Sequence, residues 1–219
     1  MSNQVLQTTK IQLSEKAYIA LKEEIVTGVL KPGEVLSEVK IAKRLAISRT
    51  PLREALNKLY SERLVDIVPN KGCVVKKLEL RDILEIAQVR EALEGMVANL
   101  ACEHIKGEEL DEITSWFPPF DQKLKECDYI MAYEAGAKMH TFIRHKAHNR
   151  LIEEQLAFFD MQIQRTTRMA AEIPGRFEEA FKEHKAIIDA LRLKDSDMAE
   201  KKMREHIANI RISLLFRML

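Results

Sequence analysis

A mainly α protein of two parts is predicted: a winged helix-turn-helix over residues 1–78, with three helices and a small β-hairpin, followed by an antiparallel six-helix bundle over residues 79–219. Three observations carry this prediction. Between Val35 and Lys77 come a short helical stretch, a tight connection, a second helix and two β-rich runs. From Leu80 onward, apolar residues recur at helical spacing to the C-terminus. The charge is also divided: residues 1–78 hold 14 Lys and Arg against 8 Asp and Glu, net +6, which leaves 21 against 26, net −5, for the rest. A basic head on an acidic body is the electrostatic footprint of a nucleic-acid-binding module joined to one that stays off nucleic acid.

In the head, residues 12–28 form a first helix with Ala17, Tyr18, Leu21 and Ile25 on one face and Gly28 at its end, and residues 29–34 turn the chain. The second helix opens at Leu36-Ser37 with Ser37 as N-cap and Val39, Ile41, Ala42 and Leu45 as its apolar positions. Ala46 to Ser48 lead into the third. Ser48 or Thr50 caps it, and Pro51 sits in the first turn, where a missing N–H costs nothing. Leu52, Ala55, Leu56 and Leu59 make its apolar stripe. Arg49, Arg53 and Asn57, four residues apart, line the opposite face. Leu64–Val68 and Cys73–Lys77 read as strands joined by Pro69-Asn70-Lys71-Gly72, residue types that suit a hairpin turn.

The body reads as helices over Leu80–Ile105, Glu108–Cys127 (broken at Pro118-Pro119), Asp128–Ala147, Leu151–Ala170, Arg176–Leu193 and Asp195–Leu219. Asn149 caps the fourth, and Asp195 or Ser196 the last. The long first one presents Ile86, Val89, Leu93, Met96, Val97 and Leu100. His140 shares a face with Gly136, Ile143 and Ala147. His184 lies on the stripe of Phe177, Phe181, Ile188 and Leu191, and His206 on that of Ala199, Met203, Ile210 and Leu214. Three helices thus each turn one histidine inward, the way bundles build metal sites. Arg90, between Ile86 and Leu93, needs an anionic partner if buried. A salt bridge to Glu94 or to a neighbouring helix would supply one, and so would a bound acid. His104, His145 and His148 read as peripheral, and Trp116 as packing.

These residues carry a resemblance. Leu30-Lys31-Pro32-Gly33-Glu34, Leu36-Ser37-Glu38, Ile41-Ala42 and Ser48-Arg49-Thr50-Pro51-Leu52-Arg53-Glu54-Ala55-Leu56 resemble the DNA-binding domain of the GntR transcription regulators over residues 11–77. Val89-Arg90-Glu91-Ala92-Leu93-Glu94, Met139-His140 with Asn149, Glu183-His184-Lys185-Ala186-Ile187 and Met203-Arg204-Glu205-His206 resemble the effector-binding (FCD) domain of the FadR-type subfamily, and six helices place it nearer the VanR-like branch. The resemblance implies that Arg49 and Arg53 read bases in the major groove, with Asn57 on the same line. It makes Ser48 and Thr50 phosphate contacts, and Lys71 and Gly72 a wing in the minor groove. It implies a divalent metal on His140, His184 and His206, and a small carboxylate effector clamped by Arg90 beside it, with Tyr133 lining the same cavity.

The chain departs from the pattern at three positions. Val39 stands where a basic residue is common, with Lys40 beside it; Arg63 replaces a glycine after the recognition helix; and Gly136 replaces the aspartate that completes the metal set. Three neutral imidazoles favour Zn²⁺ or Ni²⁺ over Mg²⁺ or Ca²⁺. The position freed at Gly136 would go to water, to an effector carboxylate, or to Glu134 in an irregular helix.

Composition agrees with a soluble regulator: 46% hydrophobic and 32% charged residues, seven glycines, and no apolar run near the ~18 residues that span a bilayer. Met1 to Lys10 lack a signal-peptide core, and three cysteines (Cys73, Cys102, Cys127) without metal spacing read as free thiols in a reducing cytoplasm. The expectation is a cytoplasmic homodimeric repressor on a palindromic double-stranded operator, with no membrane partner. Two alternatives stay open: a metal-responsive regulator of the same fold, and a three-histidine metal hydrolase, for which the sequence offers no general base.

Overall fold

The computed structural model describes residues 2–120 and 126–218, with side chains over 12–120 and 131–217. It divides into two compact units, Met1–Glu79 and Leu80–Leu219.

In the first unit, α1 (Ser2–Val26) packs on α3 (Arg49–Ser61), with α2 (Glu38–Arg44) beside it. Ala17, Tyr18, Leu21 and Ile25 of α1 and Leu52, Ala55, Leu56 and Leu59 of α3 are all buried, as their spacing requires. The Ser37 hydroxyl accepts the Lys40 N–H and caps α2, whereas Ser48 stands at the N-cap of α3 without a side-chain cap bond. Three expectations are corrected. Helix α1 begins at Ser2, ten residues before the expected start at residue 12. Val39 is 59% exposed, because α2 has only two turns and only Ile41 and Ala42 reach the core. Residues Val35–Leu36 are not yet helix: they form β1, which pairs antiparallel with β3 (Gly72–Val75), itself paired with β2 (Val65–Val68). The wing is therefore a three-stranded sheet of order β1-β3-β2. A two-residue strand has no period to read in a sequence.

The backbone turns left-handed at Arg63, with φ 58°. The arginine there costs about 1 kcal/mol against the glycine it replaces.

The second unit has six helices among its described residues: α4 (Leu80–His104), α5 (Gly107–Ser115), α6 (Glu126–Lys146), α7 (Arg150–Ala171), α8 (Arg176–Arg192) and α9 (Ser196–Met218). Helices α4 and α9 lie along one another, α8 packs on α9, and α6 and α7 close the other side of α4. The Asn149 side chain accepts from Ile152 N–H and caps α7, and Asp195 accepts from Met198 N–H ahead of α9. Helix α5 ends at Ser115, short of Pro118-Pro119. The side chain of Cys127 lies outside the described residues; Cys73 and Cys102 are free and buried.

The inward face of α4 differs from the expected one. Ile83, Ile86, Ala87, Val97, Ala98 and Ala101 are buried together with Arg90 and Glu94, while Val89, Leu93 and Leu100 are half-buried and Met96 is 39% exposed. Two charged residues four apart hold a place on the core side, and an apolar row is turned outward. Charge compensation between Arg90 and Glu94 reverses what hydropathy alone predicts.

Candidate functional site

The recognition face comes first. Arg49, Arg53 and Asn57 are exposed along α3, on the side away from its buried stripe, and Ser48 and Thr50 are exposed at its start. Lys71 and Gly72 are exposed at the β2–β3 turn, where Asn70 (φ 63°) and Gly72 (φ 83°) take left-handed conformations. One contact was not foreseen: Arg53 Nε donates to Glu38 Oε2 at 2.9 Å. That exposed pair orients Arg53 without burying it, and an exposed ion pair is worth only about 0–1 kcal/mol, so a stronger anion can displace it.

The second site lies in the helical unit. Arg90, Tyr133, Gly136, His140, His184 and His206 all line one cavity of about 150 Å³, partly open to solvent. The three histidines come from α6, α8 and α9 and can bring one ligand atom each within 4.8 Å of one another. The remaining histidines are peripheral: His104 packs edge-on to His148, and His145 pairs with Glu153 at 63% side-chain exposure. Trp116 packs edge-on to Phe142, with Lys138 over its ring.

Two carboxylates organise the histidines. Glu94 accepts from Arg90 Nε at 2.7 Å through Oε1 and meets His140 Nδ1 at 2.5 Å through Oε2. Burial alone would raise the Glu94 pKa, but the Arg90 guanidinium and then His140 outweigh it and hold the carboxyl well below the usual range. An ionised Glu94 can only accept, so His140 Nδ1 carries the proton. Glu183 repeats the arrangement. Its Oε2 accepts from Arg176 Nη2 at 2.8 Å and meets His206 Nδ1 at 2.6 Å, while Oε1 accepts from Asn209. With both Nδ1 atoms donating, the Nε2 lone pairs of His140 and His206 face one another at 3.3 Å. Two bare lone pairs at that distance repel. Two nitrogens on a tetrahedral ion with bonds of 2.0–2.1 Å stand about 3.3–3.4 Å apart, so the donor set fits a divalent transition metal. Carboxylates on the far nitrogens are how proteins orient metal-binding histidines.

Gly136 is not an open position. A Cβ placed there would lie 2.5 Å from Cε1 of His184, so the His184 ring fills the space that the family's aspartate would need. Glu134 is exposed and does not reach the cluster. The glycine and the ring position belong together: a side chain at 136 would displace His184.

Burial, followed by His206 and His140 for His184 and by His140, Arg176 and Arg90 for His206, pushes both rings well below the ordinary 6.5. Below pH 6.5 the unfolded chain then binds protons that the folded chain refuses, and stability rises with pH wherever the unfolded state is the more protonated. The chelated protein should therefore have flat stability above pH 6.5 and lose it steadily as the pH falls from there. Urea unfolding across that range checks this, and pH-independent midpoints would contradict it.

Arg90 makes the ion pair with Glu94 that the sequence offered as one of its two roles. Besides Glu94 it reaches Thr167 Oγ1 through Nη1 at 3.2 Å, and none of its nitrogens is buried without a partner. Sequence reasoning missed Glu183 and Arg176. Glu183 was legible only as a neighbour of His184. Arg176 stands at the first position of α8, 3% exposed, where a cation opposes the helix dipole by about 0.3–1 kcal/mol. Its Nε and Nη1 are buried with no partner at all, and each such loss costs about 1–3 kcal/mol.

Comparison with known proteins follows the same division. Residues 13–75 match the family described as "Bacterial regulatory proteins, gntR family", and residues 85–209 match the "FCD domain". A "Probable D-xylose utilization operon transcriptional repressor" of Paenarthrobacter nicotinovorans is 27% identical over 84% of this chain and 81% of its own. The "HTH-type transcriptional repressor GlaR" of Escherichia coli K12 is 28% identical over 87% and 90%. Among solved structures, "E. coli McbR/YncC" superposes with a TM-score of 0.76 at 24% identity, covering 94% of this chain and 98% of that one, which speaks for the fold.

Proposed function

Because the chain belongs to the FCD-domain branch of the GntR family of DNA-binding transcriptional regulators, we propose that it represses transcription from a palindromic operator and that a small organic acid in the helical unit controls its affinity. The observation that carries the DNA reading is the exposed row Arg49, Arg53, Asn57 on α3, backed by the buried stripe that fixes the orientation of the helix. Arginine at such a row reads guanine O6 and N7, and asparagine reads adenine. Ser48 and Thr50 bond phosphates at the start of α3, and Lys71 and Gly72 bring the wing to the minor groove.

The apolar row of half-buried Val89, Leu93 and Leu100 with exposed Met96 on α4 supports a homodimer, since a second copy would cover it, and a twofold dimer matches a palindrome. No helix among the described residues is long and apolar enough to cross a membrane. The site of action is the cytoplasm, where the operator is.

His140, His184 and His206 would hold Zn²⁺ or Ni²⁺, with Glu94 and Glu183 keeping two of the rings in the ligating tautomer. Bound there, such an ion supplies Lewis-acid positions for a carboxylate of the effector. The hydrolase reading fails on the same geometry: both carboxylates beside the cluster are committed to an arginine and a histidine, and neither is placed to activate water. Effector binding that favours one packing of the bundle would change operator affinity by about 5–150-fold, a coupling of ~1–3 kcal/mol. If chelation alone produces that change, the metal itself is the signal.

The test is a selection of duplexes from random DNA, followed by titration of Arg53→Ala on the selected site. The variant should bind about 5–150-fold more weakly, with relaxed base preference, as loss of one bidentate contact of ~1–3 kcal/mol requires. Equal binding of selected and random DNA by the wild type would overturn the proposal.

A further inference from the structure

The cavity beside the histidines holds three arginines, and they are not equivalent. Arg90 is engaged by Glu94 and Thr167. Arg144 pairs through Nη1 with Asp160 at 2.9 Å and leaves only Nε buried without a partner. Arg176 pairs through Nη2 alone, with Glu183, while Nε and Nη1, carrying three N–H donors between them, are buried without a partner. The carboxylates that line the same cavity, Glu94 and Asp160, already have their guanidinium groups. The cavity therefore has donor capacity beyond what its own carboxylates take up, most of it at Arg176.

We propose that Arg176, rather than Arg90, receives the carboxylate of the effector, through the guanidinium nitrogens that the protein leaves unsatisfied. The inference rests on the effector-controlled reading above and names its anchoring residue. Arg176 is held for this task from behind. Glu183 fixes Nη2, and Glu183 is itself held by His206 Nδ1 and Asn209 Nδ2, so the guanidinium is oriented before any ligand arrives. Neither Glu183 nor the neighbouring main chain, where His206 O lies 3.5 Å from Nη2, supplies an acceptor for the other two nitrogens. An apolar ligand of the same size would leave three donors dry. A planar carboxylate offers four lone-pair sites and the opposite charge. The position also ties the anion to the histidines: Arg176, Glu183 and His206 form one continuous chain, so a group bound to the first lies two hydrogen bonds from a ring of the cluster.

Succinate is the probe, titrated by calorimetry into the full-length protein, with sodium chloride of equal ionic strength as the blank. Arg176→Gln removes the charge. Arg176→Lys keeps a cation beside Glu183 and loses the planar fork. Circular dichroism reports whether each is folded. The expected result is saturable binding to the wild type, about 10–100-fold weaker in Arg176→Gln and intermediate in Arg176→Lys, as the loss of charged hydrogen bonds predicts. Should Arg176→Gln not fold, weaker binding by folded Arg176→Lys carries the proposal. Wild-type affinity in a folded variant overturns it, and so does a wild-type protein that takes up no succinate at millimolar concentration. Either failure leaves the operator selection untouched, and that selection alone decides the regulator reading.

Discussion

Replacing Glu94 by alanine is expected to destabilise the helical unit by about 3–5 kcal/mol, because it leaves a buried charge without its partner. Glu94 is 3% exposed and neutralises Arg90, 4% exposed, while holding His140 Nδ1. Its removal strands a buried guanidinium whose remaining contact is a hydroxyl, Thr167 Oγ1. It also lets the His140 ring turn. Urea unfolding followed by circular dichroism reads the first effect, and Glu94→Gln separates it from the second. Glutamine keeps the size and an acceptor for Arg90 but loses the charge, so it should fall between alanine and wild type. A loss under 1 kcal/mol in Glu94→Ala would mean that Arg90 finds another anion and that the pair is not what places charge on the inner face of α4.

The second expectation concerns the metal. In chelated protein, added Zn²⁺ at about 100 times its dissociation constant should stabilise the folded state by about 2.7 kcal/mol. For a protein of this size that is a rise in melting temperature of roughly 5–10 °C. His206→Ala should abolish the rise, because His206 faces His140 across 3.3 Å and contributes one of the opposed lone pairs. Glu183→Gln should weaken it without abolishing it, by about 10–100-fold in affinity, since it loosens the ring and leaves the ligand atom in place. A full shift retained in His206→Ala would place the ion elsewhere. No shift in the wild type would assign the cavity to the organic acid alone, with the three rings as neutral lining.

Much of the fold is legible in the sequence because it rests on local patterns. The stripe Leu52, Ala55, Leu56, Leu59 forces α3 to bury one face and so exposes Arg49, Arg53 and Asn57 on the other. Asn149 and Asp195 cap the helices that their residue types suggest. The three histidines converge because each sits on an apolar stripe, and stripes point at a common core. What escaped reading has no local signature. Strand β1 is two residues long and exists only because β3 lies beside it. The buried face of α4 includes Arg90 and Glu94, which hydropathy assigns to solvent. Arg176 looks like any charged residue at a helix start until the cavity closes over it.

The sequence by itself therefore determined the architecture: a winged helix-turn-helix with an outward basic row and a helical bundle with three inward histidines. These follow from periodicity and residue type within each helix, while the resemblance supplied the regulator class. Only the tertiary structure decided how those histidines are held and which arginine keeps two unpartnered nitrogens. Both depend on distances between helices far apart in the chain. Glu94 meets His140 across 46 residues, and His206 meets Glu183 across 23. Gly136 shows the same limit. In sequence it is a missing ligand; in three dimensions it is the space that the His184 ring occupies, because the absence of a Cβ on α6 lets a ring from α8 approach its backbone.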